Sequence, residues 1–390
     1  MLIALLVFAV LVWTVGLLVL YLNFRSLPRV GPFPVPPVRS PSLSVVVPAR
    51  NEERDVERCV RSLATQNYPS LEVIVVDDQS SDDTPRILAK LDRELPSLRV
   101  IEGSAPPDGW LGKPWALQQG ALASRSELIL FCDADVIYEP GALRRIVAGF
   151  LESEAEGVTV LPRLEMHGFW EHLLMVQLPF TAFTLIPLFL SGSIRSSWLA
   201  VGGGPGNLLR AKTWRRIGTH EALRSAVIDD IALMQLVRAK GGQTEMVIAR
   251  ELVSVRMYRG FREIFLGFSK NSFHALGGTL PRAFFGLAFL GVTQLLPFVV
   301  LIDALLRIPS AGELFLIHWL GIGASLEIVL ARTLLFWRLQ YRIDNAILGQ
   351  PLMAAVWLAI MTWSIWKVGV RRQLRWRGRA YDAAAARFGR

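Results

Sequence analysis

Two acidic clusters, each directly after an apolar run, constrain the fold of this chain most strongly. Asp77-Asp78 follows residues 72–76, and Asp133-Ala-Asp135 follows residues 128–132. Carboxylates at the ends of buried strands are costly to fold around unless they face a cleft. In an extended Asp-x-Asp triplet both Asp side chains point to the same side of the strand. Two carboxylates about 4 Å apart repel by roughly 4 kcal/mol at an effective dielectric near 20. We therefore expect a hard divalent cation, Mg2+ or Mn2+, between Asp133 and Asp135.

The N-terminal segment is apolar enough to cross a membrane. Residues 1–22 contain no charged side chain, and a helix of that length reaches roughly 33 Å at about 1.5 Å per residue, against a hydrocarbon core of about 30 Å. No Lys or Arg precedes the run and no A-x-A site follows it, which disfavours a cleaved signal peptide. We expect a permanent anchor over residues 1–24 and a semi-rigid, proline-rich spacer over 25–42.

Strands and helices alternate after the spacer, which predicts an α/β domain over residues 43–275. A helical period is found from Val56, and Thr84 is predicted as the N-cap of the next helix, with Pro85 as its first residue. This spacing predicts a mostly parallel sheet with helices on both faces. Ligands of such sheets bind beyond the carboxyl ends of the strands. The predicted strands are 43–47, 72–76, 98–101 and 128–132.

The composition shifts after residue 275. Three apolar stretches over residues 276–366 are predicted to span a membrane, in agreement with a 52% hydrophobic composition. Charged residues inside a span cost about 2.5–3.5 kcal/mol, so Asp303, His318 and Glu327 should face other helices, water or the interface. Residues 168–190 are also apolar, but two prolines and two polar residues favour an interfacial helix over a full span. The three predicted spans are 284–306, 314–331 and 346–366.

The tail, residues 367–390, begins with six positive charges and no acid over residues 367–379. A basic segment beside a span more often marks the cytoplasmic side or contacts anionic lipid than it binds nucleic acid. A cytoplasmic α/β domain followed by three spans would leave this tail outside. Three alternatives stay open: one segment is re-entrant, residues 168–190 are inserted in the membrane, or the charge bias fails. Cys59 and Cys132 are predicted as buried small hydrophobes in a reducing compartment.

The order of these motifs resembles the family 2 glycosyltransferases. The resemblance covers roughly residues 43–275 and implies a GT-A fold, a Rossmann-like α/β domain, and a nucleotide-sugar donor. It is carried by four segments of the sequence: Ser44-Val-Val-Val-Pro-Ala-Arg-Asn-Glu-Glu53, the run from Tyr68 to Thr84 with its Asp77-Asp78, Asp133-Ala-Asp135 and Ile228-Asp-Asp-Ile231.

The resemblance also implies a role for each motif. Asp135, with Asp133, would hold the metal, Lys113 the diphosphate, and Asp230 would be the general base beside Asp229. The glycine run 202–206 should let the backbone approach the sugar closely, with Gly204 as its candidate contact. The residues assigned to the nucleoside and its diphosphate are Pro48, Ala49, Arg50, Asn51, Glu52, Asp77 and Asp78.

Plainer interpretations of the same residues stay open. Asp77 and Asp78 would otherwise cap a turn or helix, and Lys113 would be a solvated surface lysine. Asp229 and Asp230 would otherwise cap a helix over residues 231–240 and favour its positive end.

Two features separate this sequence from related enzymes. The Q-x-x-R-W motif of processive polysaccharide synthases has no match over residues 255–271, which favours transfer of a single sugar over polymer synthesis. A Rossmann phosphate loop is excluded because the glycines do not follow the first strand in G-x-G-x-x-G form.

Short motifs resemble two branches of lipid-modifying relatives. One resemblance is to the carotenoid glycosyltransferases that act on hydroxychlorobactene, and it is carried by Arg256-Met-Tyr258 and residues 267–271. The other is to a hopanoid-associated branch, and it is carried by residues 109–113 and Ile228-Asp-Asp. The resemblance implies transfer of glucose from UDP-glucose, with inversion, to a lipid hydroxyl such as that of a carotenoid. The expected location is the inner membrane, as a multi-pass protein with its catalytic domain facing the cytoplasm and no nucleic-acid partner. A non-catalytic membrane scaffold is the remaining alternative.

Overall fold

The computed structural model describes residues 1–28, 40–307, 314–342, 349–376 and 379–382. Most of the spacer predicted over 25–42 therefore lies outside the described residues. The chain divides into two compact units. An α/β unit comprises residues 27–165, 190–257 and 375–390, and a helical unit comprises residues 1–26, 166–189 and 258–374. Elements are numbered in chain order across both units.

The α/β unit is built on a seven-stranded sheet. Its strands, with those of two smaller sheets, are β1 (Leu43–Ala49), β2 (Leu71–Asp77), β3 (Leu98–Glu102), β4 (Leu128–Phe131), β5 (Val136–Tyr138), β6 (Gly157–Leu161), β7 (Arg163–Leu164), β8 (Asn207–Arg210), β9 (Thr244–Ile248), β10 (Val253–Val255), β11 (Gln373–Trp376) and β12 (Arg379–Asp382). The order in the large sheet is β3-β2-β1-β4-β8-β6-β9, while β5, β10 and β7 form a second sheet and β11 pairs with β12.

The helices of this unit follow the strands as predicted. They are α2 (Val56–Ala64), α3 (Thr84–Glu94), α4 (Gly112–Ala123), α5 (Ala142–Glu152), α8 (Ala211–Arg216) and α9 (Asp229–Ala239), with short 3-10 helices at Ser197–Leu199 and His220–Leu223.

The alternation of side chains along β1 builds a core on each face of the sheet. Val45 and Val47 are fully buried in one apolar cluster with Cys59 of α2. Val46 points to the other face, where it packs in a second cluster with Leu117 of α4. Because alternate residues of a strand face opposite ways, a run of valines buried on both sides indicates a central strand covered by helices. The predicted layering is confirmed.

Within the α/β unit, the structure differs from the predictions at three places. Strand β8 runs antiparallel to β4 and β6, so the sheet is mixed at that position. Thr84 is the first residue of α3 and not its N-cap, which is Asp83; the Thr84 hydroxyl instead accepts from Glu52 N at 2.8 Å. The Asp133-Ala-Asp135 triplet is not extended, because β4 ends at Phe131 and a turn occupies residues 134–135.

The helical unit contains four helices long and apolar enough to cross a membrane among the described residues, over Leu2–Ser26, Leu280–Arg307, Leu316–Arg338 and Gln350–Val370. The second and fourth contain π-helical turns at Gly291–Leu295 and Ile365–Val370. The three predicted C-terminal spans are therefore helices with shifted bounds. The helices of this unit are α1 (Leu2–Ser26), α6 (Gly168–Leu174), α7 (Gln177–Leu185), α10 (Gly260–Ala275), α11 (Leu280–Leu290), α12 (Leu296–Arg307), α13 (Leu316–Arg338) and α14 (Gln350–Ser364).

The segment 168–190 forms two short helices, α6 and α7, and not the single helix that was predicted. The apolar side chains of α7 pack against α1: Trp13 stacks on Phe180 with ring centroids 5.3 Å apart, and Phe24 on Phe183 at 4.7 Å. A position at the membrane interface stays a prediction.

The acidic residues of the spans and their histidine have polar partners within the helical unit, as expected. Glu327 accepts a hydrogen bond from the Thr14 hydroxyl at 2.8 Å. Asp303 lies 3.0 Å from His318 Nε2 and 2.9 Å from Arg307 Nε. Such pairs reduce the free energy needed to place polar groups in an apolar medium.

The side chain of Asn23 in α1 hydrogen-bonds to the backbone at and just beyond the end of α7, so we expect it to contribute to stability. Its amide donates to the carbonyl oxygens of Phe183 (3.0 Å) and Ile186 (2.8 Å) and accepts from Phe189 N (2.9 Å). Asn23→Ala leaves these buried backbone groups unpaired, so we expect a loss of about 1–3 kcal/mol of stability. Thermal unfolding in detergent measures it. Leu18→Ala, at an exposed position of α1, is the control, and an equal loss in both variants would contradict the prediction.

Candidate functional site

Three of the predicted acidic residues, Asp133, Asp229 and Asp230, line one cavity of the α/β unit. Asp133 follows β4, and Asp229 and Asp230 are the first residues of α9. The cavity is lined by Lys113, Leu117, Phe131, Cys132, Asp133, Gly203, Gly204, Asn207, His220, Asp229, Asp230 and Leu233. Five of the predicted site residues therefore share one cavity: Lys113, Asp133, Gly204, Asp229 and Asp230.

Lys113 joins the two halves of this cavity. It lies in the first turn of α4, with Nζ 2.8 Å from Asp133 Oδ1 and 3.3 Å from Asp229 Oδ1. Its side chain is only 21% exposed. Burial alone would lower the pKa of Lys113, but Asp133, Asp229 and Asp230 raise it well above its ordinary value. It is a buried cation shared by carboxylates and not the solvated surface lysine of the alternative interpretation.

Asp229 and Asp230 differ in their hydrogen bonds. Burial raises the pKa of Asp229 to about 6, against the opposing effect of Lys113. Burial also raises the pKa of Asp230, whose Oδ1 accepts from Ile231 N at 2.8 Å. That bond engages the helix N-terminus, as in the capping interpretation, and leaves Oδ2 as the second acceptor of Asp230. A carboxylate with a raised pKa is a better proton acceptor than one in water.

The carboxylates of Asp133 and Asp135 fit a hard divalent cation. Asp135 Oδ1 is buried and has no hydrogen-bond partner among the described residues. Burial, then Asp133 and Glu52, raise the pKa of Asp135 well above its ordinary value. The described residues contain no group of three His, Cys, Asp or Glu side chains that could hold a metal ion. The protein would thus supply two oxygen ligands, and Mg2+ commonly completes its shell with phosphate oxygens and water.

The predicted nucleoside residues form a second cluster at the ends of β1 and β2. Asp78 N donates to Ala49 O at 2.8 Å, and the Arg50 guanidinium donates to the carbonyl oxygens of Asp78 and Gln79. Asp77 Oδ1 accepts from Ser80 N at 3.1 Å, which is the turn-capping interpretation of that residue.

The first loop of this cluster is fixed to the turn that follows β2. Asn51 adopts a positive φ of 54°, its N–H donates to Ser80 Oγ at 3.0 Å, and its Oδ1 accepts from Ser81 N at 2.8 Å. Pro48 is half-buried and Ala49 buried. Glu52, whose charge acts on Asp135, is the residue of this loop that approaches the predicted metal ligands.

An arginine of the tail reaches Asp78. Arg379 Nη1 lies 2.8 Å from Asp78 Oδ1 and 2.7 Å from Oδ2, and its Nη2 donates to Gln79 Oε1 at 2.5 Å. The side chains of Asp78 and Arg379 are 2% and 16% exposed. Burial raises the pKa of Asp78, and Arg379 acts in the opposite direction. The tail therefore supplies the counter-ion of a buried carboxylate at the predicted nucleoside end.

The glycine run is held close to the acidic residues. A Cβ added at Gly204 would lie 2.1 Å from Asp133 Oδ2, and one at Gly202 would lie 2.0 Å from Asp230 O. Gly204 O also accepts from Asp133 N at 2.8 Å. Only glycine fits at these two positions, so the run packs against the Asp133 side chain and the Asp230 backbone. An approach of this backbone to a sugar stays a prediction.

Sequence reasoning missed two residues of these clusters. His220 lines the cavity, but a lone histidine in a polar stretch gave no signal. Arg379 was one of six similar positive charges over residues 367–379, and nothing in the local sequence distinguished it from the others.

The comparisons with known proteins bear on this site. Residues 44–192 match the family model described as Glycosyl transferase family 2. These residues form a family 2 glycosyltransferase domain. The matched range contains β1, Asp77-Asp78, Lys113 and the Asp133-Ala-Asp135 triplet, and the predicted resemblance is confirmed over that part of the chain.

Curated relatives of the family 2 domain are carotenoid-modifying enzymes by name. The chain is 25% identical over 245 residues to 4,4'-diaponeurosporenoate glycosyltransferase of Staphylococcus haemolyticus, covering 62% of this chain and 64% of that protein. It is 26% identical over 248 residues to the protein of the same name from Staphylococcus aureus, covering 62% and 63%. The chain thus spans less than two thirds of the length of these relatives.

A solved structure shares the fold. The mannosyltransferase PcManGT of Pyrobaculum calidifontis, in complex with GDP-Man and Mn2+, superposes with a TM-score of 0.59 at 18% identity, covering 94% of this chain and 99% of that chain. The GT-A fold predicted for the family 2 domain is confirmed.

The ion pair of Asp78 generates a second stability prediction. Arg379→Ala leaves a buried carboxylate without its counter-ion, so we expect a loss of about 1–3 kcal/mol at neutral pH. The folded pKa of Asp78 is already raised, and losing Arg379 raises it further. As pH rises, Asp78 then ionises in the unfolded state before it ionises in the folded state. The free energy of unfolding that the variant loses relative to wild type should therefore grow with pH and shrink in acid.

Thermal unfolding between about pH 5 and 8 tests this dependence. Arg86→Ala is the control, because the side chain of Arg86 is 76% exposed and its ion pair with Asp83 at 2.8 Å should contribute under about 1 kcal/mol. A deficit of Arg379→Ala that equals the control, or that grows in acid, would show the assignment to be wrong.

Proposed function

We propose that this chain transfers a single glucose from UDP-glucose, with inversion and with a divalent metal, to a hydroxyl of a membrane lipid such as a carotenoid. One observation carries the proposal: Lys113 lies between Asp133 of the predicted metal triplet and the Asp229-Asp230 pair. The groups that we propose to bind the donor and to accept the proton thereby share one cavity. We further propose that the chain is a multi-pass inner-membrane protein whose family 2 domain faces the cytoplasm.

On the donor side, each group has a charge that suits part of a nucleoside diphosphate. Asp78 would accept hydrogen bonds from the base or ribose, and Lys113 would contact the diphosphate as a compact cation. Asp133 and Asp135 would hold the metal, which when bound neutralises charge on the leaving nucleotide. The residues between β1 and α2 would enclose the nucleoside.

On the acceptor side, Asp230 would take the proton of the attacking hydroxyl. Its raised pKa makes it a stronger base than a solvated aspartate. Asp229 would instead position Lys113 through their contact at 3.3 Å. Attack on the anomeric carbon from the side opposite to the departing nucleotide gives an inverted, β-linked product.

The names of the curated relatives favour a second acceptor class. Their substrate, 4,4'-diaponeurosporenoate, is named as a carboxylate. A carboxylate is ionised near neutral pH and needs no base to attack. A lipid carboxylate is therefore the alternative acceptor, and the two classes make opposite demands on Asp230.

Asp230→Asn separates the two acceptors. With a hydroxyl acceptor, we expect transfer to fall by about 100- to 10,000-fold while donor binding is retained, because the general base is lost. Mass analysis of the lipid product and a calorimetric measurement of donor binding provide the two readouts. Glu221→Gln, an exposed acid of the same unit, is the control. Near-normal transfer to a hydroxyl would remove the base role from Asp230.

Metal removal tests the donor side. EDTA should abolish release of UDP from UDP-glucose, and added Mn2+ should restore it, because Asp133 and Asp135 would otherwise meet the diphosphate as bare anions. Asp135→Asn should require a higher Mn2+ concentration for the same rate. Full activity in EDTA would contradict the metal assignment while leaving the fold untouched.

The products distinguish the remaining candidates. One added hexose on a carotenoid, a hopanoid or a glycolipid identifies the acceptor, whereas a polymer would indicate a processive synthase. If the protein neither binds nor turns over any nucleotide sugar, that result favours a non-catalytic scaffold.

A further inference from the structure

His220 is a polar residue of the cavity to which no role has been given above. Its imidazole lines the same cavity as Lys113, Asp133 and Asp229, and the residue is 1% exposed. It lies at the start of a short helical turn, His220–Leu223, that precedes α9. A histidine in this position is either a satisfied core residue or a contact for whatever fills the cavity.

The hydrogen bonds of the ring fix its tautomer. Trp214 Nε1 lies 3.0 Å from His220 Nδ1, and an indole nitrogen can only donate. Nδ1 is therefore the acceptor and carries no proton. The neutral ring must then hold its proton on Nε2, which has no hydrogen-bond partner among the side chains and backbone groups that the structure describes.

The surroundings keep the ring neutral. Burial, with a smaller effect of Lys113, lowers the pKa of His220 to about 3, so the imidazole carries no charge at physiological pH. Nε2 is thus a fixed, uncharged N–H donor at all pH values where the protein is expected to work. Because the residue lines the cavity, this N–H is available to a group that occupies the cavity, such as a water molecule or a substrate oxygen.

Several independent contacts hold the ring in place. Phe131 meets it edge-to-face, with centroids 4.6 Å apart and planes at 75°. The backbone N–H of His220 donates to Gln118 Oε1 at 2.9 Å. Thr219, immediately before it, adopts a positive φ of 59°, a conformation disfavoured for a β-branched residue. Such strain is tolerated where the surrounding structure over-determines a position and is common at functional sites.

The chemistry of the cavity indicates the class of partner. Its other polar side chains include one ammonium group and three carboxylates, from Lys113, Asp133, Asp229 and Asp230, which suit charged groups and metal ions. The amide of Asn207, which also lines the cavity, donates to Asp230 O at 3.3 Å. The neutral N–H of His220 is matched to a neutral oxygen acceptor. Under the proposed function, the neutral oxygens that enter the cavity with the donor are the hydroxyl groups of the sugar.

We propose that His220 Nε2–H donates a hydrogen bond to one hydroxyl oxygen of the transferred sugar and so helps to select which sugar is transferred. This inference rests on the proposed glycosyltransferase function and deepens it. His220 contacts the substrate, whereas Trp214 is a positioning residue that acts through the tautomer of His220.

The test combines protein variants with donors that lack one hydroxyl. UDP-glucose and its 2-, 3-, 4- and 6-deoxy analogues are assayed for nucleotide release by full-length protein in detergent, comparing wild type with His220→Phe. For wild type, removing the hydroxyl that meets His220 should lower kcat/KM by about tenfold. For His220→Phe, kcat/KM for UDP-glucose should fall by about tenfold, and removal of that same hydroxyl should then have no further effect.

Two further variants separate a substrate contact from a structural role. His220→Gln keeps a neutral amide N–H donor and should retain part of the discrimination between UDP-glucose and the deoxy donor. This variant replaces His220→Phe in the test if the phenylalanine variant does not fold. Trp214→Phe removes the bond that fixes the tautomer, so the discrimination should weaken while every other deoxy donor keeps its wild-type penalty.

Two outcomes would overturn the inference, and they are distinguishable. If wild type is active but His220→Phe lowers kcat/KM by the same factor for all five donors, His220 is a structural residue and only this inference fails. If wild type neither binds nor turns over any of these donors, nor GDP-mannose, the proposed function fails with it.

Discussion

The ion pairs of Lys113 are the interaction on which the rest of the site depends. One ammonium group meets Asp133, from the end of β4, and Asp229, from the start of α9. Asp135 and Asp230 add two more carboxylates nearby, and burial raises the pKa of both. A single cation does not balance four neighbouring carboxylates, of which Asp229 is buried and the other three are partly exposed, so a further positive charge stabilises the arrangement. The site is thereby matched to a ligand that arrives with a cation.

The local sequence was sufficient to predict the sheet edge and the acidic clusters. Buried β-branched runs such as that of β1 have one stable environment, a central strand covered on both faces, and the carboxyl ends of its parallel neighbours then meet. The candidate roles of Lys113, Asp133 and Asp229 came from the family resemblance, whereas the ion pairs that join them were not predicted and could not be derived from spacing. The reversed direction of β8 and the turn at residues 134–135 were missed, because both depend on packing between distant segments and leave no periodic signal.

The helical unit illustrates the same limit. Hydropathy identified its long helices, since length and apolar composition are local properties. The division of residues 168–190 into α6 and α7 depends instead on partners elsewhere in the chain: Trp13 and Phe24 of α1 stack on α7, and Asn23 binds the backbone at its end. The two prolines of the segment indicated a break but not what would pack against it.

The contact between Asp78 and Arg379 has a consequence for biosynthesis. The two residues are 301 positions apart in the chain, and all four candidate membrane helices except the first lie between them. At roughly 5–20 residues per second, a ribosome needs about 15–60 s to travel that distance. During that interval the carboxylate at the end of β2 has no arginine to meet it. The nucleoside end of the family 2 domain is therefore the last part of its predicted donor site to mature, after the membrane helices have left the ribosome.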